Sequence, residues 1–523
     1  MDSEPLDLAV ESEQQQLGTL SRRRKTSFAG DVFKLVSGTT VAQALSILVA
    51  PLLTRLYAPE AFGLLAVFTS LTGFAGALGC LRYEMAIVLP ARDEEAANLL
   101  ALSLGLGLVI ALASAPLLWV VGGPLLRLLK APELGPYLWL VPVVVLLSGM
   151  FLALNAWNSR TKHFGRLSLV RVIGAASTHA AKLGAGYAGY TTGGALVGAT
   201  VLGSALSTLI LGYKIWREDA TLFWRSVKRS EILLALRRYA KFPLYSTWAS
   251  ALSIVALNLP SFLLSYFFSP TEVGYYSLGY RLIQTPMVLI GGAMAQVFLQ
   301  RAAEAKVEGK LAPVVENVLR TLLLLGWFPL LLLTILGQEL FAIAFGRPWA
   351  EAGLYTQILA LSFLMSFIGS PISNLVNVLE KQEAGLYFHL FQVLSRLVAL
   401  GIGGKLGNIR LALALLSASG ALGWLGFCLY LAKAAGASWH NVRGAAAQAL
   451  LWGVPILAGL ALAQTIGKPR PLVLILLACA GTALYYGLII SHNRPLRAVL
   501  SALWREHGIP KNGQEGGPLD HAL

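Results

Sequence analysis

Charged residues are scarce in this chain. Of its 523 residues, 13% are charged and 56% are hydrophobic, whereas soluble domains carry about 25% charged residues. This composition argues against a soluble protein. Apolar stretches of about 20 residues, the length at which a helix crosses a bilayer, recur along the sequence. We therefore expect an integral membrane protein whose backbone polar groups are satisfied inside helices.

Cysteine and catalytic signatures are also scarce or missing. The 3 cysteines, Cys80, Cys428 and Cys479, fall inside apolar stretches, where a free cysteine acts as a small packing residue. The sequence has no phosphate-binding loop, no Asp-x-Asp, and no metalloprotease or serine-hydrolase signature,. We expect no disulfide framework, no metal, no cofactor and no enzymatic activity.

What the sequence does contain is about fourteen apolar stretches, each long enough to span a membrane. They predict an all-α integral membrane protein. The predicted spans are 33–56, 61–82, 97–121, 137–157, 168–189, 193–215, 243–267, 274–298, 313–336, 353–379, 386–407, 409–433, 444–465 and 470–491.

Positive charge alternates between the loops that join these spans. The net charge is +15, but the basic residues concentrate in every second loop, which argues against nucleic-acid binding. By the positive-inside rule the basic loops and both termini are cytoplasmic. The longest basic loop, 216–241, interleaves aromatic and basic residues, which suits a helix in the membrane interface. A plain positive-inside anchor is an equal alternative.

Two short echoes indicate an internal duplication. Pro59 to Gly63 joins spans one and two, and Pro270 to Gly274 joins spans seven and eight, with the same Pro-x-x-x-Gly spacing. Asn155–Asn158 and Asn374–Asn377 repeat Asn-x-x-Asn at the ends of spans four and ten. Six spans per half give both halves the same orientation, related by a pseudo-two-fold axis along the membrane normal. Such transporters bind substrate between the halves.

The predicted division of the chain follows from this duplication. It comprises a disordered cytoplasmic tail (1–29), an N-terminal six-helix lobe (30–217), an amphipathic cytoplasmic linker (218–242), a C-terminal six-helix lobe (243–435), two additional transmembrane helices (436–492) and a second cytoplasmic tail (493–523).

Basic residues at membrane depth are the candidate site. A charge in the bilayer is costly and usually faces an aqueous cavity. Lys182, Arg281 and Arg396 lie deepest, and carboxylates are nearly absent at that depth, so we expect an anionic, phosphate-bearing substrate. The helical neighbours that share their faces are Arg171 and Thr178, Gln284 and Thr285, and His389 and Gln392. Snorkelling or pairing with helix ends is the alternative. We favour that alternative for Arg171, and we interpret His179 as a hydrogen-bonded packing histidine rather than a proton carrier.

Several segments resemble bacterial polysaccharide transporters, the O-antigen and exopolysaccharide flippases. The most specific runs from Leu53-Thr54-Arg55-Leu56-Tyr57-Ala58-Pro59-Glu60-Ala61-Phe62-Gly63 through span two to Arg82-Tyr83-Glu84-Met85-Ala86-Ile87-Val88-Leu89-Pro90. Gly274-Tyr275-Tyr276 and the Phe345-Gly346-Arg347-Pro348-Trp349 segment up to Ala352 are also similar. The resemblance covers about residues 30 to 490, which include all the predicted membrane spans.

The resemblance implies a member of the multidrug/oligosaccharidyl-lipid/polysaccharide exporter superfamily. Such proteins have two six-helix bundles and are taken to flip undecaprenyl-diphosphate-linked oligosaccharides across the bacterial inner membrane. Cationic cavity residues would meet the diphosphate while membrane lipids hold the tail. A polysaccharide polymerase or chain-length regulator is the implied protein partner. Arg82 and Glu84, together with Arg55, match the family signature and are candidates for a gate, with a local ion pair as the alternative.

The sequence leaves two other transport functions open and argues against an enzyme. The two extra spans are also a feature of lipid II flippases, which share fold and substrate chemistry. A cation-coupled drug exporter of the same superfamily would need an acidic cavity, and this one is predicted to be basic. A membrane polymerase or ligase would need a large exterior loop with catalytic residues, which the sequence lacks.

Overall fold

The computed structural model describes residues 28–467 and 470–492, and across them it consists of helices with no strand. The all-α prediction is thereby confirmed. The α-helices are α1 Phe28–Leu56, α2 Pro59–Ala77, α3 Asp93–Leu128, α4 Leu140–Arg160, α5 Phe164–Tyr187, α6 Gly193–Ser226, α7 Arg229–Arg238, α8 Thr247–Phe267, α9 Pro270–Val307, α10 Leu311–Phe345, α11 Ala350–Ile372, α12 Leu375–Val378, α13 Gln382–Lys405, α14 Ile409–Ala434, α15 Trp439–Leu462 and α16 Pro471–His492.

Each predicted span overlaps at least one of these helices, and span 353–379 overlaps both α11 and α12. Within the described residues, 11 helices are long and apolar enough to cross a membrane. The helices at the remaining predicted spans are α2, α5 and α9, and α5 carries Arg171, His179 and Lys182 within its length. The count of fourteen spans therefore stays a prediction, as does the division into lobes.

Helix starts follow local chemistry. Proline stands at the first position of α2 and α9, where its missing N–H would have no partner in any case,. The Ser269 hydroxyl accepts a hydrogen bond from the Glu272 N–H at the start of α9, and the Asn408 side chain accepts one from the Leu411 N–H at the start of α14. These caps satisfy N–H groups that the helix leaves unpaired.

The same helix pairings occur twice along the chain. In the first half, α1 packs on α5, α5 on α6 and α4 on α6; in the second half, α8 packs on α13, α13 on α14 and α11 on α14. The repeated pairings match the two halves in the same order as the repeated Pro-x-x-x-Gly segments at the starts of α2 and α9. The helices α15 and α16 pack on α10, on the flank of the second half. There the Phe328 and Tyr485 rings stack with centroids 4.6 Å apart.

The two halves touch most closely where α2 crosses α9. A Cβ added to Gly63 would lie 1.7 Å from the Pro270 carbonyl oxygen, and one added to Gly274 would lie 1.9 Å from the Pro59 carbonyl oxygen. Each glycine thus meets the backbone of the other echo in a reciprocal contact. We call these four residues the glycine seam. It brings the starts of α2 and α9 into backbone contact, which no side chain at Gly63 or Gly274 would permit.

The predicted linker is largely helical. Its first residues continue α6 to Ser226, and α7 occupies Arg229–Arg238. The predicted tail before residue 28 and the tail 493–523 lie outside the described residues, while residues 28 and 29 already belong to α1.

Candidate functional site: a basic cavity between the halves

A cavity of about 250 Å³ lies between helices of both halves. It is bounded by α1, α2, α5 and α6 of the first half and by α9 of the second. Its described lining residues are Ser46, Ile47, Ala50, Leu53, Phe62, Leu65, Ala66, Thr69, Thr178, His179, Lys182, Thr200, Ser277, Leu278, Arg281, Leu282 and Thr285. Apolar side chains and hydroxyls make up most of this wall.

Two cations from opposite halves face this cavity. Lys182 comes from α5 and Arg281 from α9. None of the described lining residues is Asp or Glu. The Lys182 side chain is 4% exposed, and in the described part of the chain neither cationic head group has a hydrogen-bond or ion-pair partner. Arg281, by contrast, is exposed. A buried charge without a partner, such as that of Lys182, is unfavourable, so the cavity favours an anion that pairs with Lys182 and is within reach of Arg281.

The backbone at Lys182 is hydrogen-bonded to Tyr57, the residue that follows α1. The Tyr57 hydroxyl donates a 2.7 Å hydrogen bond to the Lys182 carbonyl oxygen, and Tyr57 is 1% exposed. One turn earlier on α5, His179 Nε2 lies 2.9 Å from Ser46 Oγ of α1. These two contacts hold the cavity-lining face of α5 against α1. His179 is thus a hydrogen-bonded residue at the cavity wall.

Arg171 lies on α5 outside this lining. Its guanidinium donates a 2.7 Å hydrogen bond to Thr39 Oγ1 of α1. It therefore joins two helices of the first half, in keeping with the structural role favoured for it from the sequence.

The α13 stripe does not enter the cavity in this structure. Arg396 donates a hydrogen bond to the Ala256 carbonyl oxygen of α8, and His389 on the same helix is exposed. Gln392 is 4% exposed, and its amide has no hydrogen-bond partner among the described residues. Gln284 of α9 lies beside the Tyr280 hydroxyl rather than among the described residues of the cavity wall. The second half thus contributes Arg281, not Arg396, to the basic pair.

Arg82 and Glu84 form an ion pair just after α2. The Arg82 Nη1 and Glu84 Oε1 atoms are 3.5 Å apart, and Arg82 has a φ of 63° in the left-handed region. The Glu84 residue is 5% exposed. Burial raises the pKa of its carboxyl above the ordinary value of 4.5, while its backbone N–H and Arg82 act in the opposite direction.

The three candidate gate residues are not together. Arg55 is exposed near the end of α1, next to the start of α2, whereas Arg82 and Glu84 follow the end of α2. Nineteen helical residues separate the two ends, which corresponds to about 28 Å along the axis. Arg55 therefore lies at one end of the bundle and the Arg82–Glu84 pair at the other.

The sequence reasoning missed some of the cavity's hydroxyl residues. Ser277 lies four residues before Arg281 on α9, so the i, i+4 spacing that puts Arg281 and Thr285 on one face also indicates Ser277,. Thr200 and Ser46 carry no such signal, because they come from helices without a membrane-depth charge.

Solved structures share this fold. The lipid II flippase MurJ in an inward closed conformation aligns with a TM-score of 0.72 and 13% identity, covering 88% of this chain and 99% of that chain. An inward-facing MATE family multidrug resistance transporter of the MOP superfamily aligns with a TM-score of 0.59 and 16% identity, covering 77% of this chain and 94% of that chain. The chain is a multi-pass membrane protein with the architecture of these transporters, as expected.

The sequence comparisons identify the family. The profile described as polysaccharide biosynthesis protein matches residues 52–354. This chain belongs to that family, which confirms the resemblance. A curated relative is the lipopolysaccharide biosynthesis protein WzxC of Escherichia coli (strain K12), 22% identical over 399 residues, or 74% of this chain and 77% of WzxC.

Proposed function

We propose that this chain is a flippase that moves an undecaprenyl-diphosphate-linked oligosaccharide across the bacterial inner membrane. The product would serve the synthesis of O-antigen, exopolysaccharide or capsule. The observation that carries this proposal is the cavity that both Lys182 and Arg281 line, with no carboxylate among its described lining residues. The match to the polysaccharide biosynthesis family supports it from the sequence side.

The diphosphate is the part of this substrate that suits the cavity. Guanidinium groups bind phosphate oxygens through two parallel hydrogen bonds, and an ammonium adds a compact positive charge. Because Lys182 and Arg281 belong to different halves, a diphosphate between them would link the halves electrostatically. The hydroxyls of Ser46, Ser277 and Thr285 are suited to hydrogen bonding with the first sugar.

Transport would proceed by alternating access. At the glycine seam, the backbones of α2 and α9 are in contact at Gly63 and Gly274. We propose that these two helix starts separate to release substrate. In this structure, the described lining of the basic cavity does not include Arg396, Gln392, His389, Gln284 or Arg171. Their contact with substrate would therefore need a rearrangement of the helices that carry them.

The distribution of basic residues indicates how the chain is oriented in the membrane. We propose that the loops carrying Arg82, Arg160 and the α6–α7 junction face the cytoplasm, by the positive-inside rule. Cytoplasmic termini and a polymerase or chain-length partner are further parts of this proposal.

A lipid II flippase is the second candidate. Its substrate is also a lipid-linked diphosphate, and the MurJ structure shares the fold over 88% of this chain. Depleting the protein in its host separates the two, because loss of wall integrity indicates lipid II and loss of surface polysaccharide indicates the first function. A drug exporter for organic cations ranks last, since a basic cavity repels cations.

Neutralising the cavity cations tests the proposal in cells. In a strain that lacks its own flippase, we expect Lys182→Gln and Arg281→Gln each to lower surface polysaccharide by roughly 10- to 100-fold, the effect of losing one charged hydrogen bond. Membrane protein level is measured by immunoblot, and Arg127→Gln, an exposed cation outside the cavity, is the matched control. Wild-type export by both variants at equal protein level contradicts the proposal.

A further inference from the structure

A second cavity lies near the α6–α7 junction. It has a volume of about 290 Å³, close to the lower end of small-molecule pockets,. Every described residue that lines it is apolar, and they include Leu100, Leu104, Leu154, Ile215, Trp216 and Trp224. The pocket is formed by α3, α4 and the last turns of α6. It shares no described lining residue with the basic cavity.

The wall of this apolar pocket is held by specific contacts. Asn98 of α3 is 3% exposed; its side-chain amide donates a 2.8 Å hydrogen bond to the Ser226 carbonyl oxygen and accepts a 3.0 Å bond from the Lys228 N–H. The Trp216 and Trp224 rings meet edge to face with centroids 5.9 Å apart. Asn98 thus fixes the point where α6 ends, and with it the aromatic side of the pocket.

Exposed cations adjoin the two tryptophans in the sequence. Arg217, Arg225, Lys228 and Arg229 are exposed, and none has an ion-pair or hydrogen-bond partner for its head group among the described residues. By contrast, other cations at this end are paired: Arg166 with Glu218, and Arg160 with Asp93. The apolar pocket suits the acyl chain of an anionic lipid, and the unpaired cations suit its negatively charged head group.

We propose that this pocket holds an acyl chain of one anionic phospholipid whose head group contacts Arg225 and Lys228. Trp216 is 52% and Trp224 is 77% exposed, so both can lie at the level of the lipid head groups, where tryptophan is enriched. The bound lipid would fix the α6–α7 junction, which connects the two halves.

The lipid is a resident component rather than the transported substrate. The pocket residue Gly212 and the basic-cavity residue Thr200 both lie on α6, and their separation of twelve residues corresponds to about 18 Å along the helix. The cations beside the pocket are a different set from Lys182 and Arg281. The inference therefore stands independently of which substrate the basic cavity carries.

Native mass spectrometry of the purified full-length protein tests this. The protein is incubated with phosphatidylglycerol, with phosphatidylcholine of the same acyl chains, or with undecaprenyl diphosphate. We expect one phosphatidylglycerol to be retained about thirtyfold better than phosphatidylcholine, since Arg225 and Lys228 near the head group contribute about 1 kcal/mol each. Raising the salt concentration should reduce this preference.

Three variants locate the bound lipid. Ala101→Phe places a large side chain inside the pocket. Trp224→Ala removes one wall of the pocket, and because Trp224 is exposed, its loss does not disturb the packing of the core. Both variants should abolish selective retention. The double variant Arg225→Gln/Lys228→Gln should lower phosphatidylglycerol retention about thirtyfold, to the phosphatidylcholine level. Ala113→Phe, exposed on the same helix, and Arg127→Gln are the matched controls and should behave as wild type.

The outcomes separate the occupants. Equal retention of both phospholipids, or retention unchanged by Trp224→Ala and by the double variant, overturns the proposal. Preferential binding of undecaprenyl diphosphate that Trp224→Ala abolishes also overturns it, and would make this pocket a substrate-tail site. Because these measurements involve no glycan and no transport, they can fail while the proposed function holds.

Discussion

At the scale of single residues, Lys182 depends on its surroundings for position. Its carbonyl oxygen accepts the Tyr57 hydroxyl hydrogen bond, and its helical neighbour His179 contacts Ser46. One contact comes from Ser46 of α1 and the other from Tyr57, the residue that follows α1, so the packing of α1 on α5 orients the basic face toward α9. Tyr57 is therefore a positioning residue for the cavity, although it does not line it.

Glu84 allows a residue-scale prediction about pH. Burial raises the pKa of its carboxyl above 4.5, so the folded state binds this proton more tightly than the unfolded state. Stability then falls as pH rises from the ordinary value through the raised value, and it stays lower above that. We expect Glu84→Gln to raise the unfolding temperature more at neutral pH than near pH 4.5, because the amide carries no buried charge.

Thermal unfolding of purified wild-type and variant protein at several pH values checks this. Glu94→Gln, an exposed carboxyl close in sequence, is the control and should show no comparable dependence. A stabilisation by Glu84→Gln that is constant or shrinks as pH rises would show that the Arg82 ion pair outweighs the burial cost.

The helices that carry the basic residues could be predicted from the sequence, but the direction in which each side chain points could not. Lys182, Arg281 and Arg396 all lie within predicted spans, and the first two face one cavity. Arg396 instead satisfies its charge on a carbonyl oxygen of the neighbouring helix. The rotation of a helix about its axis depends on which neighbours it packs against, and a single helical stripe does not contain that information.

At the scale of elements, the glycine seam joins the two halves by backbone contact. Because both close approaches are to carbonyl oxygens of the opposite proline, no side-chain rotation can make room for a Cβ. We expect Gly63→Ala and Gly274→Ala to push the starts of α2 and α9 apart. The cavity between them should then become more accessible from that end of the bundle.

Labelling of a cysteine in the cavity measures this. Ser277→Cys, in a background without Cys80, Cys428 and Cys479, is exposed to a membrane-impermeant thiol reagent in intact cells. We expect faster labelling with either seam variant. Gly105→Ala, whose added Cβ would meet nothing within 4 Å, should label as the parent. Unchanged labelling in both seam variants would contradict a closing role for the contact.

The elements themselves were largely readable in advance, because apolar length and proline at helix starts are local properties. The seam was indicated only as an echo of Pro-x-x-x-Gly. That these repeated segments bring the starts of α2 and α9 into contact could be seen only in the tertiary structure. The continuation of α6 to Ser226 was not predicted, because Arg217, Glu218 and Asp219 there resemble the start of a polar loop.

At the scale of the whole molecule, the arrangement combines a basic cavity between the halves with a separate apolar pocket at the basic end. The first lies between α5 and α9, and the second lies beside the junction that connects the halves. The two additional helices, α15 and α16, pack on α10 and contribute no described residue to either cavity. The duplicated bundle thus carries the proposed transport site by itself.

The central claim is that Lys182 and Arg281 together bind a lipid-linked diphosphate. Binding of undecaprenyl diphosphate to the purified protein tests it most directly, with uncharged undecaprenol as the reference ligand. We expect wild-type protein to prefer the diphosphate, and Lys182→Gln/Arg281→Gln to lose that preference while Arg127→Gln retains it. Undiminished diphosphate binding by the double variant, in a protein that unfolds at the wild-type temperature, would contradict the account.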